Sequence, residues 1–167
     1  MGGPAADRGR SIKKEPGIGL SNTKVTQTPS EAPNTMKYTQ KQFTPELLDR
    51  IKQTERSIGS LLEEITQPYK NKFQNKDIQL DSSLDQEGID PFEPGYRSSL
   101  NIGISEKGGD LLDLHTIVIW ECQRTFLGLP TGKNIPGSKI SGELMDETTK
   151  EIKAELREYL GDWLDNA

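Results

Sequence analysis

The sequence predicts a mainly α-helical domain behind a disordered N-terminal tail, with an α+β alternative in which a small strand pair forms near residues 99–104. Three observations lead there. Apolar residues recur at helical spacing within residues 44–66, 110–128 and 142–164. Residues 1–41 are rich in Gly, Pro, Ser, Thr, Gln and Asn and carry few sizeable apolar side chains. Pro68, Pro130 and the run from Gly88 to Gly95 stand where helices should stop or the chain should turn.

The tail, residues 1–41, cannot bury enough apolar surface to offset its conformational entropy. Its seven Lys and Arg face three acidic residues, a net of +4, so residues 42–167 must carry −9 of the chain's net −5. An acidic folded part repels phosphate backbones, which argues against nucleic acid as a partner and for a basic protein. The hydrophobic share is 31%, and no apolar run approaches a membrane span or a secretory signal, so the expected location is cytoplasmic, with no membrane partner. Cys122 is the only cysteine, which excludes an intramolecular disulfide; its apolar surroundings predict a buried, inert thiol.

The folded part is expected over residues 42–167. Thr44 can cap a helix, Pro45 suits its first position, and Glu46 complements the positive helix end. Leu47, Ile51, Thr54, Ile58, Leu61 and Ile65 alternate four and three apart, a heptad seam of about three repeats. The seam either lies on the domain's own core, as the extra Leu48 and Leu62 suggest, or mediates self-association through Leu47, Ile51, Ile58, Leu61 and Ile65 as a short coiled coil.

Residues 71–97 read as a polar loop. Its acidic residues lack the order of a calcium loop, so a solvated acidic loop is the reading. Residues 99–104 alternate as a half-buried strand does. In 110–128, Leu111, Leu114, Val118, Cys122, Phe126 and Leu129 follow helical spacing after Asp110 as a cap, although Thr116–Ile119 is a β-branched cluster that pulls toward a strand. Length decides for a buried core helix. The last helix, 142–164, starts at Ser141 or at the capping box Thr148-x-x-Glu151.

Lys24-Val25-Thr26-Gln27-Thr28 resembles the Lys-x-Thr-Gln-Thr peptides bound by the hub-type dynein light chain. The resemblance covers these five residues only. It implies an extended peptide that adds a strand to the hub's edge, with Gln27 and its flanking threonines filling pockets. The order of tail motif, helical seam and folded C-terminal part is similar to that of viral phosphoproteins, by arrangement alone.

For catalysis the best cluster is Asp110, Asp113 and His115. On a helix Asp113 and His115 point different ways, and His115 is the only histidine, so a metal site or catalytic triad is not supported. Gly128-Leu129-Pro130-Thr131-Gly132-Lys133 is one residue short of a phosphate-binding loop and is followed by Asn134 instead of Ser or Thr. Neither a catalytic residue, a metal nor a cofactor is expected. The sequence points to a non-enzymatic interaction protein: an adaptor or accessory factor docking a light-chain hub, or alternatively a small acidic inhibitor of a basic target.

Overall fold

In the computed structural model, which describes residues 35–167, the first helix begins where the sequence demands. The Thr44 hydroxyl accepts the Leu47 amide at 3.2 Å, Pro45 follows it, and helix α1 runs Pro45–Gln74. It passes through Pro68, where a stop was expected at residue 66. An interior proline costs about 3 kcal/mol. Here Tyr69 and Phe73 extend the apolar stripe by two turns, and Phe73 is fully buried, a contribution of similar size.

Beyond α1 the mainly α expectation fails. Helix and strand each take 38% of the described residues, and the fold is an antiparallel sheet of six strands with two helices. The strands are β1 (Thr35–Thr39), β2 (Ile78–Glu87), β3 (Arg97–Glu106), β4 (Leu111–Phe126), β5 (Leu129–Pro130) and β6 (Lys139–Met145); helix α2 (Thr149–Asn166) closes the chain. The order is β1-β6-β4-β3-β2, and β5 pairs with the end of β4. Residues 35–39, expected in the tail, form β1, and most of the expected loop 71–97 is the end of α1 and all of β2.

The expected core helix 110–128 is strand β4. Two register shifts against β3, between Ser98/Ser99 and between Ile104/Ser105, explain why its pattern reads as helical. Asp113, His115, Ile117 and Ile119 face the helices. An irregularity then lets Ile119 and Trp120 both be fully buried, and inward positions continue at Trp120 and Cys122. Each shift sets two residues three apart on one face, Leu111 with Leu114 and Val118 with Glu121, and threes mixed with fours imitate a helical period. Strand 99–104 is present within the longer β3. The expected helix 142–164 loses its first residues to β6; of its two candidate starts the capping box is used, with the Glu151 amide donating to the Thr148 hydroxyl at 3.2 Å and the Thr148 amide to the Glu151 carboxylate at 2.7 Å.

Both helices cover one face of the sheet. The main core joins Ile58, Leu62, Ile65 and Phe73 of α1, Leu80 of β2, Leu100, Ile102 and Ile104 of β3, Ile117 and Ile119 of β4, and Ile152, Leu156 and Leu160 of α2. A second cluster, under the first turns of α1, gathers Leu47, Ile51, Tyr96, Cys122 and Leu144 around Trp120. The heptad seam is thus spent on the chain's own sheet: Leu47, Ile51, Ile58 and Ile65 are buried and Leu61 packs against the core. That overturns the coiled coil. No helix among the described residues is long and apolar enough to cross a membrane.

Candidate functional site

Because side chains alternate along a strand, the covered face of the sheet implies an opposite set that the helices do not touch. On β2 that set is Gln79, Asp81, Ser83, Asp85 and Glu87, all exposed. Across it stand Arg97, Ser99, Asn101, Gly103 and Ser105 of β3, then Leu114, Thr116, Val118 and Glu121 of β4. Glu143 and Lys37 complete the row toward β1 with an exposed pair at 3.7 Å.

Polar side chains on this face bond to one another. The Asn101 amide donates to Asp85 at 2.5 Å and to the Ser99 hydroxyl at 3.3 Å, while the Thr116 hydroxyl donates to the Asn101 carbonyl at 2.6 Å. The Gln79 amide donates to Asp81 at 3.1 Å. These bonds hold Asp81 and Asp85 as fixed acceptors. At the β3–β4 turn end, Leu111, Leu112 and Leu114 are exposed, with Leu111 lying over Gly103. The face therefore has an acidic flank on β2 and a small apolar flank on β4.

A second polar group sits under α2. Two residues apart, Asp113 and His115 would diverge on a helix; on strand β4 the same spacing puts both on the covered face. His115 Nε2 meets Glu155 Oε1 at 3.0 Å, and its ring stacks on Tyr159 at 4.5 Å. Asp113 accepts from the Trp163 indole at 2.9 Å and the Tyr159 hydroxyl at 2.8 Å. The Trp163 bond, with the Tyr159 bond behind it, holds the Asp113 carboxyl below the usual range despite burial; burial and the facing Asp113 push the Tyr159 phenol up. Glu147 is pushed up by burial and by Glu155 and Glu151, and its Oε2 is buried without a hydrogen-bond partner. These bonds fasten α2 to β4. A nucleophile with a base beside it is not part of the arrangement, and among the described residues no group of three His, Cys, Asp or Glu is placed to hold a metal ion.

Cys122 is fully buried, and burial, with Asp90 and Glu93, pushes its thiol up to about 11. It is an inert core thiol. A groove of about 400 Å³ passes its backbone, between residues 94–97, 121–124 and 130–132. Arg97 and Arg124 there face Glu87 and Glu121, a balanced set with no preference for either sign of ligand. Gly128-Leu129-Pro130, considered above as part of a phosphate loop, is a hairpin: β5 folds back on Thr125 and Phe126 through positive φ at Leu127 and Gly128.

The light-chain-like motif, Lys24 to Thr28, lies outside the described residues. Asp81, Asp85, Glu87, Asn101 and Thr116 were not singled out from sequence as a face. The signal existed, since Ile78, Leu80 and Leu84 alternate with polar residues, but Asp, Gln and Ser have weak strand preference and resembled a loop. Comparison with protein-family models, with curated proteins and with solved structures finds no match for this chain.

Proposed function

We propose that this chain is a non-catalytic protein-binding factor, an adaptor or accessory protein whose folded part presents the open, acidic sheet face to a basic protein partner. The observation that carries the reading is the row Asp81, Asp85 and Glu87, exposed on the uncovered face and partly fixed by Gln79 and Asn101. Fixed acceptors favour a cationic partner without a further ordering cost. The −9 charge of residues 42–167 adds long-range attraction to such a partner. Use of this face to block a basic target would be the inhibitor form of the same reading. Residues 24–28 offer an independent contact for a light-chain hub, supported by their pattern alone.

Affinity capture with the full chain tests the reading. Basic proteins should be retained at low salt and released near physiological ionic strength or above, and the triple variant Asp81→Asn, Asp85→Asn, Glu87→Gln should retain about tenfold less. Capture indifferent to both salt and the triple variant would refute it. For the tail, calorimetry of a residue 20–32 peptide with light chain should show heat that Gln27→Ala abolishes; no heat with the native peptide removes that contact.

A further inference from the structure

The two edges of the sheet differ in length and in what stands beside them. β1 is five residues long, and Arg50 of α1 reaches across to the Tyr38 hydroxyl at 3.3 Å. β2 is ten residues long and pairs with β3 throughout, while its other edge has no backbone partner among the described residues. A strand of that length with unpaired amides and carbonyls is a template for another chain unless something covers it.

Helix α1 runs alongside β2 in the opposite direction: Thr66 Oγ1 is 3.4 Å from Ser82 Oγ, and Glu55 accepts from Tyr96, which in turn bonds Gln86 near the far end of β2. Between helix and strand edge lie two adjoining cavities that share Lys70. One, of about 240 Å³, is bordered by Gly59, Leu62, Thr66 and Leu84. The other, of about 330 Å³, is bordered by Gln74, Ile78 and Leu80. Leu84 is on the helix-facing side of the sheet yet 39% exposed, so the cover is incomplete at that point, where Gly59 brings no side chain.

We infer that this groove takes an extended peptide as a sixth main strand beside β2, and that its sequence alternates apolar and basic residues. The inference rests on the binding reading above and names the form of the partner. Backbone bonds to β2 supply affinity, and alternate side chains fall on opposite faces. Those on the inner face meet Leu62, Leu80 and Leu84 and are apolar. Those on the outer face run beside Asp81, Asp85 and Glu87 and are Lys or Arg. The spacing matches, because outer residues of β2 and of an added strand both recur every second position, about 6.8 Å.

The test uses the 15N-labelled full chain and three capped peptides: Lys-Val-Lys-Val-Lys-Val-Lys, the same peptide N-methylated at alternate residues, and heptalysine. The alternating peptide should shift the amides of residues 79–87 and 59–70 and slow hydrogen exchange along β2. N-methylation should weaken it at least about tenfold by removing the backbone donors. Heptalysine should bind by charge without protecting β2 amides. Gly59→Phe, which fills the cavity from a half-buried helix position beside Leu84, should weaken the alternating peptide at least about tenfold and leave heptalysine unchanged; Asp81→Lys with Asp85→Lys, both at the surface, should weaken both peptides. Shifts confined to Asn101, Thr116 or β1, or equal binding of the N-methylated peptide, would overturn the groove. Heptalysine binding alone would sink the groove and keep the acidic-face reading, and binding by neither would remove both.

Discussion

The space between helices and sheet is filled on two different terms. Beneath the second half of α1 and beneath α2, mostly aliphatic side chains from six elements, Met145 of β6 included, share the burial, and each can shift a little to accommodate a neighbour. Beneath the first turns of α1, everything is arranged around one indole. Trp120 donates to the Pro91 carbonyl at 2.7 Å, and Phe43, Phe92 and Tyr38 surround its ring at 5.9, 6.4 and 6.1 Å. Gly142 lies directly against it, where a Cβ would overlap the ring. The first region is specified by volume and the second by shape, so the same chemical insult should cost different amounts in each.

Gly142→Ala should be the largest effect, a loss of about 3 kcal/mol at the top of the overpacking range, read as a lower urea midpoint with red-shifted tryptophan emission. Trp120→Phe should follow, at about 2–3 kcal/mol, because it leaves space and strands the Pro91 carbonyl. Ile102→Val in the aliphatic region should cost only about 1 kcal/mol. If the valine variant proved as costly as either aromatic-cluster change, the contrast between the two regions would collapse.

The polar group under α2 sharpens the comparison through pH. The folded-state pKa of Asp113 is depressed, so its contribution is complete above the ordinary carboxylate value and is lost as pH falls through the folded value. Glu147 has the opposite sign: its folded pKa is raised, so the associated stability is present below the unfolded value and is lost as pH rises through the folded one. Denaturation midpoints between pH 2.5 and 7 should show Asp113→Asn flattening the acid limb, and Glu147→Gln gaining about 1 kcal/mol at pH 7 by removing a charge disfavoured by burial and then by Glu155 and Glu151. A Glu147→Gln variant less stable than the parent at pH 7 would show that its charge is compensated. The smallest effect belongs to Gly59→Ala, a gain of about 0.5–1 kcal/mol, since the new Cβ would meet Leu84 at an ordinary 3.5 Å within a helix.

How far such features could be read from sequence depended on whether the local signal agreed with the tertiary one. Thr148-x-x-Glu151 is one of two candidate starts for the last helix, whose expected bounds begin seven residues early at 142, whereas Thr44-Pro45-Glu46 is self-contained and the start of α1 was legible. So was the alternation at residues 99–104, and so was the burial of Cys122. β4 was not, because Leu114 and Val118 lie on the open face while Cys122, beyond the bulge, is buried, so a spacing of four that reads as one helix face is divided between the two faces of a strand. The site is hidden for the same reason, since a helix would separate Asp113 from His115, and the partners of both, Tyr159, Trp163 and Glu155, are about forty or more residues away. β1 holds only Met36 and Tyr38 as inward residues, too few to announce a strand before its partner β6 is known.

That last pairing also sets an order of events. Thr35–Thr39 joins Ser141–Met145, segments about a hundred positions apart, and Trp120 receives its final wall from them. During vectorial synthesis the first strand must wait, unpaired, until the sixth has emerged from the ribosome. Assembly at that margin is therefore a late, non-local event, and its rate should respond to Met36 and Tyr38 far less than the rate of coming apart does.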